Sequence, residues 1–224
     1  MNDWRIRHGE VIAEFIAFLN NDNTNYVLKG GTALAACYNL DRFSEDIDLD
    51  GTERQLIEIV EEFCSGKGYD YRVAKDTNTV QRCVVNYGNV GKPLKIEASY
   101  RRTHIDERET ARVNGVLVYS IEQLCAMKIN AYMSRDKMRD LYDIAFICNN
   151  FIDSISPQTT ALLRNALEYK GLEQFDYMIN TQSDELINPD KLAEDFLKMF
   201  DKLGLLVDEN EKKHLGNGNS LKSR

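Results

Sequence analysis

Apolar side chains at Val11, Ile12, Phe15, Ile16 and Leu19 recur at the spacing of one helix face and predict an amphipathic first helix, ended by the polar run 20–25. The period then changes. Tyr26, Val27 and Leu28 form a short β-type run that stops at Gly30-Gly31, and Thr32 opens a helix. Past residues 39–43, Asp46-Ile47-Asp48-Leu49-Asp50 alternates polar and apolar positions as a strand does. Leu56, Ile59, Val60 and Phe63 predict another helix, capped at Thr52 or a neighbour and closed near Gly66 and Gly68. Strands are expected over 69–74, 80–87 and 94–100, separated by turn-prone pieces at 76–78 and 87–93, with a further short strand at 115–119.

From Ser120 onward the pattern is helical. Ser120 and Gln123 fit a capping box, and Ile121, Leu124, Cys125, Ile129 and Tyr132 supply one apolar side. Leu141, Ile144, Ala145 and Cys148 mark the core side of the next helix. Pro157 after Ser156 and Pro189 after Asn188 sit at first helical positions, leading into helices over 160–167 and 192–203, with 169–184 ambiguous between them. The end, LGNGNSLKSR, lacks apolar periodicity. Strands followed by helices make an α+β chain, with a core over 1–119, a helical domain over 120–214 and a flexible tail over 215–224.

Composition narrows the chemistry. No apolar run approaches the ~20 residues of a membrane span, and the start MNDWRIRHGE lacks a signal-peptide core, so a cytoplasmic location is the default expectation. Five scattered cysteines without C-x-x-C spacing, and three dispersed histidines, argue for reduced, buried thiols and against a disulfide or zinc framework. The net charge of −8 argues against a general coat for nucleic acid. It is unevenly spread: −6 over residues 1–91, +4 over 92–139 and −6 over 140–224, so an anionic substrate would be drawn to the middle.

The candidate chemistry lies in VLKGGTALAACYNLDRFSEDIDLD, residues 27–50. Backbone N–H groups at Gly31, Thr32 and their neighbours have no partners within the helix they begin and could hold a phosphate. Asp46 and Asp48 share one face of their strand, which suits a hard cation such as Mg²⁺. Alternation in 94–100 puts Lys95, Glu97 and Ser99 together, facing away from the core. Arg101, Arg102, His104, Arg108 and Arg112 fall in a polar connection that could orient a nucleic-acid backbone, although such clusters are usually solvated.

The patterns GGTAL and R-x-S-E-D-I-D-L resemble the first two motifs of the AbiEii/AbiGii toxin nucleotidyltransferases, within the polymerase β-like superfamily. The resemblance implies a nucleotidyltransferase-type mixed sheet with flanking helices. It assigns Gly30, Gly31, Thr32 and Ser44 to the nucleotide, and Asp46, Asp48 and a third carboxylate, Glu97, to catalysis and to Mg²⁺ or Mn²⁺. Glutamate in place of aspartate there adds a methylene. A lysine followed by an R-x-K-x-R-D-x-x-D type run extends the likeness to Lys128, Arg135, Lys137, Arg139, Asp140 and Asp143. Lys128, Arg135 and Arg139 are thereby assigned to nucleotide phosphates, with Lys128 and Asp143 also catalytic. The implied activity is transfer of a nucleoside monophosphate from an NTP to a hydroxyl, with RNA such as a tRNA 3′ end as acceptor. A cognate antitoxin and a role in abortive infection by phage are also implied. The rival readings are a small-molecule nucleotidyltransferase of the antibiotic-modifying kind, a non-catalytic nucleotide-binding module, and a D-x-D glycosyltransferase.

Overall fold

The 3.6-residue period at the start forms helix α1, Trp4–Asn21, whose Val11 and Phe15 are fully buried. The structure is a computed structural model and describes residues 4–21, 26–88 and 92–206. The expected tail 215–224, His214 and parts of the polar runs 20–25 and 87–93 lie outside the described residues. After α1 come β1 (Val27–Lys29), α2 (Gly30–Tyr38), β2 (Asp46–Asp50), α3 (Leu56–Lys67), β3 (Asp70–Thr77), β4 (Val80–Asn86) and β5 (Leu94–Ser99). A hairpin of β6 (Thr110–Val113) and β7 (Val116–Tyr119) leads into α4 (Ile121–Ser134).

The strands form one mixed sheet in the order β3-β4-β5-β2-β1-β7-β6, with β2–β5 and β1–β7 parallel and the other pairs antiparallel. One face is apolar: Leu28, Ile47, Leu49, Cys83, Val85, Ile96, Ala98 and Val118 are buried there, and α1, α2 and α3 pack against these strands. Phe15 of α1 meets Phe63 of α3 edge-to-face at 5.1 Å between ring centres. The opposite face carries the polar alternates, and with them the candidate chemistry.

Three local features differ from the sequence expectation. Helix α2 begins at Gly30, two residues before Thr32, because Gly30 turns the chain with φ of +75°. Helix α3 starts at Leu56 without a side-chain cap from its own N-terminal residue; the Leu56 N–H donates to the Gln81 amide oxygen at 3.1 Å. Strand β6 lies inside the stretch read as a polar connection. Its hairpin turns on Asn114-Gly115, both at positive φ, the pair that best matches strand twist in a two-residue turn.

The chain divides into two compact units, Met1–Ala131 and Tyr132–Arg224, so the division falls inside α4 and not at the strand-to-helix change near residue 120. In the second unit α5 (Met138–Phe151) packs on α7 (Pro189–Lys202), and α6 (Pro157–Thr181) runs through the segment left ambiguous, broken at Gly171 with φ of 68°. Ser156 and Asn188 cap α6 and α7 through side-chain oxygens that accept first-turn N–H groups. Phe175 and Phe196 stack at 4.0 Å in its core. All five cysteines are buried and unbridged, and burial raises the thiols of Cys37, Cys64, Cys83 and Cys148 to about 11, which keeps them protonated and unreactive.

Candidate active site

The glycine pair does two different jobs. A Cβ on Gly30 would stand 3.1 Å from Asp48 Oδ2, and one on Gly31 would stand 2.6 Å from Arg42 Nη2 and 3.0 Å from Ser44 Oγ. Absence of side chains therefore lets the start of α2 lie directly against β2 and the segment that leads into it. Arg42, nearly buried, donates to the Phe43 carbonyl at 3.1 Å. Thr32 Oγ1 lies 2.8 Å from Ser44 Oγ and also bonds the Asp46 carbonyl. A hydroxyl has one proton, so Thr32 and Ser44 donate in a chain that ends on the backbone. Both side chains thereby fasten the corner between α2 and β2, and the residue before α2, Lys29, offers that helix no side-chain cap. The same corner is held from α1, where His8, buried, donates through Nε2 to the Glu45 carbonyl at 2.7 Å, and from Lys92, 2.8 Å from the Glu45 carboxylate.

Register decides what the carboxylates meet. Across the open face one row runs Arg72, Val84, Lys95, Asp46, and the next runs Lys75, Arg82, Glu97, Asp48, Lys29, each residue opposite its neighbour on the adjoining strand. Asp48 and Glu97 are thus side by side on parallel strands, with Asp46 two residues before Asp48. Lys95 Nζ lies 2.6 Å from Asp46 Oδ2, Arg82 pairs with Glu97, and Lys29 sits 2.5 Å from Asp50, which also accepts from Tyr119 at 2.9 Å. Of these four carboxylates only Asp48 has no ion-pair partner among the described residues. Burial raises its pKa above the ordinary carboxylate range, Asp46 and Glu97 push the same way, and Lys95 and Lys29 oppose them.

That environment fits a divalent cation. A desolvated carboxylate beside two others is relieved by positive charge, and Mg²⁺ is commonly held by one or two carboxylates with water and substrate phosphates completing its shell. Asp46 and Asp48 are the residues that could supply such oxygens. Among the described residues no three acidic, His or Cys side chains converge as a ready donor set, because the Glu97 carboxylate is turned to Arg82. Sequence alternation placed Lys95 and Glu97 on one face; the pairing of Lys95 with Asp46, and of Arg82 with Glu97, needs the register.

Lys128 is buried in α4. In the second unit, Arg135 forks onto buried Asp140 at 2.7 and 3.1 Å, Arg139 onto Asp184 at 2.5 and 3.0 Å, and Asp143 is fully buried. On the first unit's open face a cleft of about 520 Å³ lies down-strand from the carboxylates, lined in part by Val27, His104, Glu107, Thr110, Arg112 and Leu117. The arginine-rich connection is largely satisfied internally: Arg102 pairs with Glu109 and Arg108 with Asp106.

Comparison with known proteins follows the same lines. The profile of the family described as Nucleotidyl transferase AbiEii toxin, Type IV TA system, matches residues 17–214. The crystal structure of JHP933 from Helicobacter pylori is similar with a TM-score of 0.75 at 25% identity, over 96% of this chain and 98% of that one. A second H. pylori crystal structure, of a candidate nucleotidyltransferase, gives 0.75 at 24% identity, over 96% and 99%. No curated protein matches the sequence.

Proposed function

The chain belongs to the AbiEii nucleotidyl transferase toxin family and is a nucleotidyltransferase, and we propose that it is metal-dependent, with a hydroxyl of RNA such as a tRNA 3′ end as acceptor. On this reading it is the toxin member of a pair with a cognate antitoxin. The observation that carries it is Asp48: a partly buried carboxylate with raised proton affinity, in register with Glu97 and against the bare backbone of Gly30.

The N–H groups at the start of α2 receive phosphate oxygens of the NTP, with Lys128 as a further phosphate contact. Asp46 and Asp48 hold Mg²⁺ or Mn²⁺, which when bound supplies charge stabilisation at the reacting phosphate and the attacking oxygen. The acceptor oxygen bonds the α-phosphorus, the bond from that phosphorus to its bridging oxygen breaks, and pyrophosphate leaves. Glu97 takes the hydroxyl proton. Lys95 and Arg82, no longer needed to balance Asp46 and Glu97, face the phosphates instead. Thr32 and Ser44 act by holding the corner rigid, which is how positioning contributes most in phosphoryl transfer. Arg135, Arg139 and Asp143 carry no step in this scheme.

Incubation with total RNA, Mg²⁺ and each labelled NTP in turn tests it. Label entering RNA with release of pyrophosphate, abolished in Asp46→Ala, is the expected result; full transfer by that variant contradicts the mechanism. A small-molecule acceptor is the second reading, favoured by the 520 Å³ cleft with its mixed lining. Label passing to small hydroxyl compounds and not to RNA selects it.

A further inference from the structure

Four cations from three strands stand on the open face beyond Glu97: Arg72 and Lys75 of β3, Arg82 of β4 and Lys95 of β5. They come from separate stretches of a chain whose net charge is −8, so no local run of basic residues announces them. Arg72 and Lys75 are exposed and make no ion pair among the described residues. Arg82 and Lys95 are more than one-third exposed and turned toward the catalytic carboxylates. At about 4.8 Å between strands, Lys75 lies about 14 Å from Asp48 along one row. Beside the outer row opens a cleft of about 430 Å³ lined by Asp70, Tyr71, Arg72, Val84, Asn86 and Pro93. Val84 and Pro93 offer apolar contact to a base, and Asn86 an amide for its edge. Asp70 is the one acid in that lining.

We infer that this half of the sheet, β3 to β5, seats the single-stranded end of the nucleic-acid acceptor, its phosphates over Arg72, Lys75 and Arg82 and its terminal hydroxyl at Glu97. The inference rests on the proposed RNA acceptor. It follows from where the attacking hydroxyl must arrive: Glu97 is the carboxylate on the β4 side of Asp48, and on that side the face is cationic. On the other side Lys29 is already held by Asp50. Charged edge strands also serve to block edge-to-edge association, and β3 is an edge. That role requires charge but no common face with the carboxylates.

The test is the full-length Arg72→Ala/Lys75→Ala double variant, compared with wild type by anisotropy of a labelled single-stranded RNA of about 12 nucleotides, and by transfer kinetics. Loss of two phosphate contacts is expected to weaken binding about tenfold and to lower the slope of log affinity against log salt by about 1.4. The acceptor KM rises correspondingly, while the NTP KM and Mn²⁺ affinity stay at wild-type values. An unchanged salt slope and acceptor KM, with or without altered solubility, overturns the inference and leaves the RNA acceptor standing. A wild-type protein that binds no RNA and labels only small hydroxyl compounds overturns both. An NTP KM that rises equally shows a structural effect and also overturns it.

Discussion

Two regions of the sheet unit gather positive charge, and they do so in opposite ways. The connection 101–112 holds four arginines in twelve residues, interleaved with Asp106, Glu107 and Glu109, and its ion pairs close within a few positions: Arg108 with Asp106, Arg102 with Glu109. The β3–β5 face holds four cations spread over residues 72–95, and register brings them to one surface where Arg82 and Lys95 meet carboxylates from other strands. Charge dense in sequence neutralises itself locally. Charge dispersed in sequence, when the period of two puts it on one face, accumulates into a field that acts on something else.

The largest expected effect comes from the centre of the face. Asp48→Asn removes one of the two carboxylates proposed to hold the cation and is expected to lower transfer on the order of 10³-fold, as loss of a group acting on transition-state charge does. It also stabilises the metal-free protein. Because the folded carboxyl titrates above its ordinary range, its contribution is favourable below that range and is lost as pH rises through the raised value. At neutral pH the metal-free variant therefore melts above the wild type. The gap between the two proteins narrows on acidification. Saturating Mg²⁺ raises the wild-type melting temperature and leaves that of the variant nearly fixed. A metal-free variant that melts below wild type at pH 7 breaks the reading of Asp48 as the strained carboxylate of the face.

A smaller effect isolates the cations that neighbour the carboxylates. The pair of Lys95 with Asp46 is part-exposed and screened, worth ~0.2–1 kcal/mol. Lys95→Met frees Asp46 for a cation, so Mn²⁺ binding, followed by loss of the free-ion EPR signal, tightens about twofold to fivefold. Weaker Mn²⁺ binding in this variant shows instead that Lys95 positions the carboxylate and does not compete for it.

Much of this corner is legible in the sequence, because alternation and turn chemistry are local. Gly30-Gly31, the shared face of Asp46 and Asp48 and the outward Glu97 all follow from spacing alone, as do, in the second unit, the helix starts at Pro157 and Pro189. Partners across strands do not. Nothing near Arg82 announces Glu97, and nothing near Lys95 announces Asp46, since that pairing depends on how three strands align. Arg42 and Ser44 stand beside the acidic strand in sequence, yet their space is made by Gly31, eleven and thirteen residues upstream. Thr32 likewise bonds the Asp46 carbonyl, a partner fourteen residues on that spacing does not announce. The β6 hairpin carried a local signal in Asn114-Gly115, masked by reading the stretch before it through its charge.

The smallest effect is expected in the connection, and its smallness is informative. Arg108 is 89% exposed, and its guanidinium chelates Asp106 two residues away, holding that carboxyl down at about 2. A cation so placed presents little net field beyond its own turn, because the paired carboxylate travels with it. Arg108→Ala should therefore leave the acceptor KM within about twofold of wild type and the salt slope unchanged, although it removes the same formal charge as Arg72→Ala. If the two single variants weaken RNA binding equally, net charge and not its placement governs the acceptor, and the contrast between the two regions fails.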